Sequence, residues 1–409
     1  MVTSLPNLAQ SGYSIKGWRD SQTAIIERRT SHARRRLIFL DSMSHRVVII
    51  GAGFLGLLVT RRLRKLIGKE IELTIIDPKD YFLFTPRLID ALAGSHARGL
   101  KRELAPLLKK FGAHLIQSKV TAIDRNRQSI SYTAVDDSSA KTIEYDQAVL
   151  AIGAETSDYQ IPGVKEHTFH LKSFQDVARI QERIRQRMAE HSSPACVIVG
   201  AGATGVEALG ALSRFAPQCS LSFIQGAPQI LPGFPLSLVR RVEKILRASG
   251  AQLFIGESVQ RVSATGIQTS KTSHISADLV VWCAGLQAPT INLAPSVERD
   301  PSGFFVVDAY LKLDNHLFAG GDIVSYREDN LTIPKNAQTS FLMAETIAKN
   351  ILHRVRGEPL EPFRYSSKGN ILWLGKTGIL DFKFFCIQTR WTGFVRDLFY
   401  HFRSWQILG

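Results

Sequence analysis

The chain has 409 residues, of which 44% are hydrophobic and 21% charged, so it is globular rather than disordered and long enough for two or three domains. Its net charge of +15 suggests anionic partners such as phosphorylated cofactors, anionic lipid or nucleic acid, although a generally basic proteome and a basic tail would explain the charge equally well. Four scattered cysteines argue against a disulfide scaffold, a zinc site and a dithiol centre; we predict no metal site, and no apolar run reaches the roughly 20 residues that span a bilayer.

The first 43 residues form a basic extension unlike the rest of the chain. Residues 1–42 contain seven Lys or Arg against three Asp or Glu, with several Ser and Thr. This composition is typical of an organelle transit peptide. Alternatively, the natural start is Met43, because the first predicted strand follows only a few residues later. We favour the second interpretation, and both place the extension outside the predicted fold.

The first motif is a strand, a glycine-rich turn and a helix start. Val47–Ile50 is β-branched and apolar, which predicts a strand buried on both faces. In Gly51–Gly56, the three glycines allow a tight turn, close approach of backbone to a pyrophosphate, and close packing of helix on strand. The next predicted strand, Glu72–Ile76, ends at Asp77, whose carboxylate could accept hydrogen bonds from ribose hydroxyls.

Short strands and one helix follow this motif. Residues 118–150 predict a small antiparallel meander, and Tyr145–Ala154 predicts a buried strand that ends at a glycine. Ile161–Gly163 is a turn and a plausible hinge. Residues 169–190 predict a helix whose apolar face contains Phe174, Val177, Ile180 and Ile184.

The strand–glycine–helix pattern then occurs a second time. Ala195–Val199 is the strand, Gly200–Glu207 repeats the glycine offsets, and the next strand ends at Gln225, in the register of Asp77. Two copies predict a flavin enzyme fed by a nicotinamide, because FAD and NAD(P) both contain a pyrophosphate. A neutral amide at Gln225 does not repel a 2′-phosphate, and no arginine follows at once, so NADPH is tolerated but not selected. Alternatively, Gln225 is a surface residue without a ligand.

The rest of the chain completes an α/β fold. Residues 278–285, 304–308 and 317–322 predict strands, and Asp322 could meet the hydroxylated chain of a flavin. A helix follows at about 336–354. We predict two Rossmann-like three-layer dinucleotide-binding domains, with an FAD domain at 44–160 and 285–345, an inserted NAD(P)H domain at 161–284, and a short membrane-facing C-terminal region at 346–409.

The C-terminal region contains an aromatic stripe at helical spacing. Its members recur every three or four residues, so they share one face of a helix. They are Trp391, Phe394, Leu398, Phe402 and Trp405. Such a face with basic neighbours favours a helix that lies in a bilayer interface, although a helix docked on the body or on a second copy has the same pattern. The basic neighbours are Arg390, Arg396, His401 and Arg403.

Besides the two glycine motifs, the chain contains Phe84-Thr85-Pro86, Ala151-Ile152-Gly153, Trp282–Gly285, Phe318–Asp322 and Ala337-Gln338. With these motifs, residues 44–385 resemble the type II NADH dehydrogenases, which are non-pumping NAD(P)H:quinone oxidoreductases within the FAD-dependent pyridine nucleotide oxidoreductases. There are three departures: Ile152 replaces a usual threonine, Leu342 replaces the second glutamine of the quinone motif, of which Gln338 is the first, and the C-terminal region is short for the family. The quinone could therefore differ, for example a phylloquinone- or plastoquinone-type molecule.

The resemblance implies hydride transfer from NADH or NADPH to FAD and then two electrons to a membrane quinone. It implies catalytic roles for Glu207 and Gln338, although either could be an ordinary polar residue near a helix start. It further implies a homodimer at the cytoplasmic or stromal face of a membrane, without nucleic acid. The predicted cofactor-binding residues are Gly51, Gly53, Phe54, Leu55, Gly56, Asp77, Thr85, Pro86, Val120, Ala151, Gly153, Gly200, Gly202, Thr204, Gly205, Gln225, Gly285, Gly321, Asp322 and Ala337.

Three alternatives stay open. A soluble flavoprotein that reduces an acidic ferredoxin- or rubredoxin-like protein would suit the basic charge, but it gives no reason for the aromatic stripe. A flavoprotein that senses NAD(P)H and binds nucleic acid or protein is permitted by the charge alone. A sulfide:quinone oxidoreductase needs a reactive cysteine pair near the flavin, whereas Cys196 and Cys283 are predicted to be buried small hydrophobes.

Overall fold

The computed structural model describes residues 45–95, 99–134, 137–190, 193–328, 331–382 and 385–409. The predicted N-terminal extension lies outside these residues. Arg46–Gly409 forms one compact unit. Within the described ranges, no helix combines the length and the apolar character needed to cross a membrane.

The first glycine motif and its neighbouring strands occupy residues 45–156. Val47–Ile50 is almost completely buried, and the helix that follows Gly53 ends at Gly68, which adopts a φ of +75°. The elements are β1 (His45–Ile50), α1 (Phe54–Ile67), β2 (Ile71–Asp77), β3 (Tyr81–Leu83), a 3-10 turn (Thr85–Arg87), α2 (Leu88–Leu92), β4 (Lys101–Glu103), α3 (Leu104–Lys110), β5 (His114–Asp124), β6 (Ser129–Ala134), β7 (Asp137–Glu144), β8 (Gln147–Leu150) and β9 (Glu155–Thr156).

Residues 164–294 contain the second copy of the motif. Its strand is buried like the first, and its helix again begins directly after the middle glycine, Gly202. The elements are α4 (Val164–His167), α5 (Phe174–Glu190), β10 (Ala195–Val199), α6 (Ala203–Phe215), β11 (Ser220–Gln225), α7 (Leu236–Ala248), β12 (Gln252–Ile255), β13 (Val259–Ser263), β14 (Gly266–Thr269), β15 (Ile275–Ser276), β16 (Leu279–Trp282), β17 (Leu286–Gln287) and β18 (Asn292–Ala294).

Residues 305–408 end in a long helix, a three-stranded sheet and a terminal helix. The long helix begins at the cap Asn336, whose side chain accepts a hydrogen bond from Thr339 N, and it ends at Gly357. The elements are β19 (Phe305–Val306), β20 (Leu317–Ala319), a 3-10 turn (Gly321–Ile323), β21 (Val324–Ser325), β22 (Arg327–Glu328), β23 (Leu331–Thr332), α8 (Ala337–Arg356), β24 (Asn370–Trp373), β25 (Gly378–Phe382), β26 (Phe385–Thr389) and α9 (Thr392–Leu408).

Two sheets organise the described residues. The first has the order β20-β8-β1-β2-β5-β6-β7, with β18 also on β5; β20, β8 and β1 pair in parallel, and β5, β6 and β7 form the predicted antiparallel meander. The second is parallel throughout, in the order β12-β11-β10-β16. The next strand in sequence, β2 or β11, lies on one side of each motif strand, and a later one, β8 or β16, on the other. Both glycine loops therefore lie where strand order reverses, the edge at which α/β sheets bind ligands.

The predicted α/β class with two Rossmann-like folds is confirmed, while the domain limits stay predictions. The predicted helix at 169–190 forms as α5, and Val177, Ile180 and Ile184 are buried in the hydrophobic core that also contains side chains of β10 and α6. Phe174 differs, with 57% of its surface exposed, because it begins the helix and precedes the turns that pack against the body.

Candidate active site

The first glycine loop is shaped by backbone contacts that exclude any side chain at two positions. Gly51 has a φ of +104°, and a Cβ there would lie 2.5 Å from Ala151 O. A Cβ on Gly56 would lie 1.9 Å from Gly51 O, so strand and helix touch at this point. Gly53 is different: a Cβ there would meet nothing within 4 Å. Bare backbone thus faces open space at the start of α1, which fits the approach of a pyrophosphate.

The second loop repeats this geometry almost atom for atom. A Cβ on Gly200 would lie 2.6 Å from Ala284 Cα, and one on Gly205 would lie 1.9 Å from Gly200 O. Gly202, like its counterpart, has nothing within 4 Å of a Cβ. The chain therefore contains two open backbone cradles, each at the N-terminus of a helix and each suited to a dinucleotide.

Asp77 and Gln225 hold equivalent positions beside the two loops. Ala52 N donates to Asp77 Oδ2 at 2.7 Å, and Ala201 N donates to Gln225 Oε1 at 2.9 Å. Because Gln225 must present its oxygen to the backbone N–H, its amide NH₂ is the group left for a ligand. At the first loop the corresponding group is a carboxylate oxygen, an acceptor for ribose hydroxyls.

Strand ends bring several predicted residues to the first loop. Ala151 N donates to Ile50 O at 2.8 Å, and Gly320 N donates to Leu150 O at 3.1 Å, which places the ends of β1, β8 and β20 side by side. The turn that contains Gly321 and Asp322 therefore meets the glycine loop. Burial raises the pKa of Asp322 despite the nearby lysines.

The start of α8 lies on the same turn. The Ser340 hydroxyl is 3.4 Å from where a Cβ of Gly321 would be. Ala337 and Gln338 belong to the same first helical turn of α8 as Ser340, so they lie near Gly321. Leu342, the position that departs from the quinone motif, packs against the hydrophobic core that contains the side chains of β1 and α1.

The remaining predicted residues lie around the two loops. Phe54 packs edge-on against Phe84 at 5.3 Å, just before Thr85 and Pro86 in the 3-10 turn. Leu55 is buried, and its side chain would contact a Cβ on Gly320. The others are Val120 on β5 beyond the end of β2, Gly153 after β8, Thr204 in the first turn of α6, and Gly285 after β16 against the Tyr159 ring.

Glu207, one turn into α6, lies in a buried polar cluster. Its Oε1 accepts a hydrogen bond from Trp373 N at 3.0 Å and lies 3.9 Å from Arg396 Nη1. Arg396 also forms an ion pair with Asp90 on α2. Burial raises the pKa of Glu207 to about 7, against the opposing effects of Arg396 and the Trp373 N–H. The carboxyl group is therefore poised to change protonation state near neutral pH.

Sequence reasoning did not find the partners of Glu207. Asp90 is an isolated acid in an apolar segment, and Trp373 contributes only its backbone N–H. Arg396 lies between members of the aromatic stripe but off its face, and we assigned it to the basic flank of a membrane helix. That assignment was wrong: only 3% of its side chain is exposed, and it faces the protein. The sequence did contain one signal for this orientation, because Arg396 does not share the helical face of the aromatic stripe.

The cysteines do not form a reactive pair at the loops. All four are free. Burial raises the pKa of Cys283, at the end of β16, to about 12. Contact with the Cys219 thiol, together with burial, raises the pKa of Cys196 as well. Thiols with raised pKa values are poor nucleophiles, so Cys196 and Cys283 are not suited to cysteine-based redox chemistry. The same contact with the Cys196 thiol lowers the pKa of Cys219.

Two dinucleotide cradles with a carboxylate partner at the first define a flavoprotein that is reduced by a nicotinamide. The family model for pyridine nucleotide-disulphide oxidoreductases matches residues 31–344. The chain belongs to this family: it is an NAD(P)H-dependent oxidoreductase, and its cofactors are FAD and NAD(P)H.

Individual relatives agree with the resemblance seen in the motifs. The chain is 26% identical over 358 residues to a type II NADH:quinone oxidoreductase of Staphylococcus saprophyticus, a match that covers 81% of this chain and 87% of that protein. The Staphylococcus aureus protein of the same name is 25% identical over the same shares of each chain. The predicted resemblance to type II NADH dehydrogenases is confirmed.

Solved structures share the fold. NDH2 from Plasmodium falciparum in complex with NADH has a TM-score of 0.77 at 16% identity and covers 89% of this chain and 97% of its own. The sulfide:quinone oxidoreductase from Aquifex aeolicus has a TM-score of 0.78 at 20% identity, with coverages of 89% and 91%. At these identities the likeness shows the fold alone.

Proposed function

We propose that this protein is an NAD(P)H:quinone oxidoreductase that works on the surface of a membrane. The observation that carries this proposal is the outward face of α9, whose large apolar side chains are exposed on a helix otherwise docked on the body. The names of the staphylococcal relatives support the same electron acceptor. Bound FAD would accept a hydride from NAD(P)H and pass two electrons to the quinone.

The face of α9 matches the predicted stripe member for member. Between 52% and 72% of the surface of each of the five residues is exposed. The opposite side of the helix is anchored, because Thr392, Arg396 and Ile407 are buried and Arg61 Nη1 donates to Trp405 O at 2.6 Å. A docked helix with an unpartnered aromatic face is suited to lie in a bilayer interface. The exposed stripe consists of Trp391, Phe394, Leu398, Phe402 and Trp405.

Basic side chains border this face, although not all those we expected. Arg403, like Arg396, turns toward the protein and packs over Phe341 at 4.5 Å from the ring centroid. Instead, a groove of about 860 Å³ opens beside Trp405, and its cationic lining suits the phosphates of anionic lipids. The cationic side chains of the groove are Arg87, Lys101 and Arg102, and its lining also contains His401 and one acid, Glu103.

The two glycine loops suggest different binding roles for the residues around them. At the first, we assign Asp77 to a ribose and Asp322 to the hydroxylated chain of the flavin. At the second, we assign Gln225 to the ribose of NAD(P)H and Glu207 to the nicotinamide, where its carboxylate would orient the carboxamide or relay a proton. Gln338 would contact the quinone carbonyl. The nature of the quinone, a homodimer and the cytoplasmic or stromal face stay predictions.

The rival functions explain less of the surface. A soluble reductase of a ferredoxin-like protein would use the basic groove but leaves the aromatic face without a role. A NAD(P)H-sensing protein that binds nucleic acid or another protein needs neither Glu207 nor the stripe. The deciding experiment follows NADH and NADPH oxidation by purified protein with a water-soluble quinone, ferricyanide or ferredoxin. We expect bound flavin and quinone reduction; activity with ferredoxin alone would favour the soluble reductase.

Gln225→Glu is expected to shift cofactor preference toward NADH. One carboxylate oxygen would keep the Ala201 N–H, and the other would accept from a ribose hydroxyl and repel a 2′-phosphate. A hydrogen bond to a charged group contributes about 1.5–3 kcal/mol, so the ratio of kcat/KM values for NADH over NADPH should rise roughly 10- to 150-fold. Gln225→Met, which removes the acceptor for Ala201, should weaken both cofactors alike. An unchanged ratio in Gln225→Glu would place this residue away from the ribose.

Glu207→Gln is expected to slow hydride transfer without releasing the flavin. The amide keeps an oxygen for Trp373 N but loses the charge, at a cost of about 1.5–3 kcal/mol, or roughly 10- to 150-fold in rate. Because the pKa of Glu207 is about 7, the wild-type rate should rise with pH through neutrality as the carboxylate forms, and this rise should vanish in the variant. Stopped-flow bleaching of flavin absorbance by NADH measures both. A full rate with the same pH dependence would exclude Glu207 from the site.

A further inference from the structure

Arg396 connects the C-terminal helix to the helix that begins at the second glycine loop. Its Nη2 pairs with Asp90, and its Nη1 lies 3.9 Å from Glu207 Oε1. Its guanidinium carbon lies 4.5 Å above the Trp373 ring centroid, and Trp373 N donates to that same glutamate oxygen. One side chain of α9 thus reaches both the carboxyl group and the residue that holds it.

The packing beneath this contact is tight. A Cβ on Gly210 of α6 would lie 2.6 Å from the Leu374 backbone, so the helix that contains Glu207 touches the turn after β24 directly. A Cβ on Gly393 of α9 would lie 3.4 Å from Trp373 Nε1 on the other side of the strand. Interiors this dense transmit small displacements, so a shift of α9 would move Trp373 relative to Glu207.

The charges in the cluster are only partly satisfied. Arg396 Nε and Nη1 and Asp90 Oδ2 are buried without a hydrogen-bond partner. The Arg396–Glu207 contact is therefore electrostatic rather than a closed hydrogen bond. Because a buried charge is costly unless it is paired, this arginine has few stable alternatives to its place between the two carboxyl groups.

We propose that Arg396 is a positioning residue of the NAD(P)H site, which favours the charged form of the Glu207 carboxyl group over the neutral one and makes the seating of the C-terminal helix a condition of activity. This inference rests on the proposed role of Glu207 at the nicotinamide. The C-terminal helix then has two separate functions: its outer face meets the membrane, and its inner face completes the site of hydride transfer.

Arg396 and Asp90 have opposite effects on the pKa of Glu207, so variants of the two residues should change the pH dependence in opposite directions. Arg396 lowers the pKa of Glu207, whereas Asp90 raises it. Arg87 and Arg214 lower the pKa of Asp90. Burial raises the pKa of Tyr400, which interacts with both Glu207 and Asp90. The charged and titratable groups that act on Glu207 from the surrounding elements are Asp90 on α2 and Arg396 on α9, and Tyr400 on α9 interacts with it as well. Arg87 before α2, Arg214 on α6 and Asp397 on α9 act on Asp90.

The test compares the pH dependence of flavin reduction by NADH in Arg396→Met, Arg396→Lys and Asp90→Asn, with ferricyanide and without membrane. An opposite charge at this distance typically shifts a pKa by about one unit or more. In Arg396→Met, we expect the acid limb of the profile of rate against pH to move to higher pH by about one unit, with most of the rate restored at pH 9. The limb should stay near its wild-type position in Arg396→Lys and move down in Asp90→Asn.

Glu207→Gln separates this inference from the proposed function. In that background, Arg396→Met should no longer alter the pH profile, as expected for two coupled residues. A rate that falls equally at every pH in Arg396→Met, with an unshifted limb in Asp90→Asn, would reduce the arginine to a packing residue and overturn the inference alone. A wild-type rate in Glu207→Gln would instead overturn the proposed role of Glu207. Asp90→Asn retains Arg396 and provides the answer if Arg396→Met does not fold.

Discussion

Gly53→Ala is expected to release the flavin from a protein that still folds. The glycine has a φ of −77° and a ψ of −164°, which alanine adopts readily, and no atom lies within 4 Å of the added Cβ. The methyl group would project into the space where a pyrophosphate meets the backbone. Overpacking of this kind costs about 1–3 kcal/mol, so FAD affinity should fall roughly 5- to 150-fold.

Gly202→Ala is the matched change at the second loop. Its surroundings are just as open, so the fold should again be retained. Here we expect normal flavin content and a KM for NAD(P)H raised roughly 5- to 150-fold. The pair assigns each loop to its cofactor, since flavin content, read from absorbance, and KM should change in different variants.

Gly56→Ala provides the contrast. Its Cβ would lie 1.9 Å from Gly51 O, so this substitution should destabilise the fold itself rather than only the binding of the flavin. We expect a lower midpoint of thermal unfolding. Normal flavin binding in Gly53→Ala would show that backbone does not approach the pyrophosphate there. Loss of flavin in Gly202→Ala and not in Gly53→Ala would reverse the assignment of the two loops.

Replacing Trp391, Phe394 and Leu398 with serine is expected to detach the protein from membranes while leaving its chemistry intact. These residues are 64–72% exposed, so the change removes little internal packing. Full burial of a large apolar side chain contributes about 1.5–3 kcal/mol; partial burial of three in an interface gives about 3 kcal/mol, or roughly 100-fold in vesicle binding. Flotation with vesicles that contain phosphatidylglycerol measures the loss.

Activity provides the second measurement and a second surface provides the control. Reduction of ferricyanide should be unchanged in the triple variant, whereas reduction of a lipid-soluble quinone in vesicles should fall with binding. Phe174→Ser combined with Leu236→Ser removes two other exposed apolar side chains and should alter neither. Undiminished flotation of the triple variant would exclude the stripe as the membrane contact.

Truncation of the whole helix would be a poorer test. Deletion of residues 388–409 would also remove Arg396 and the buried Ile407, and it would uncover the Glu207 cluster. Activity would then fall for reasons unrelated to the membrane. The inner and outer faces of α9 have different partners, so only substitutions on one face separate their effects.

The sequence predicted most of the fold because its main signals are local. β-Branched runs, glycine spacing and the acid at the end of the next strand depend on a few neighbouring residues, and they place both loops correctly. The aromatic stripe is also a local pattern, since helical periodicity alone puts its five members on one face. The matching geometry of Asp77 and Gln225 could likewise be expected from their offsets.

The cluster around Glu207 could not be predicted in the same way. Asp90, Trp373 and Arg396 are far apart in the chain and come together only when α2, β24 and α9 pack on α6. Whether a basic residue on an amphipathic helix faces lipid headgroups or a buried carboxylate depends on which side of the helix docks. That choice is made by long-range packing, for which one sequence contains no periodic signal.

The sequence by itself therefore determined the class of this protein: two dinucleotide cradles, their order, and an apolar helical face at the C-terminus. The tertiary structure decided which face of that helix is covered, because docking buries Arg396 beside Glu207 and leaves the aromatic stripe exposed. Local backbone geometry fixes a pyrophosphate site within about 30 residues of chain. The charge state of a buried carboxyl group depends on every element that packs around it, and those elements meet only in the folded protein.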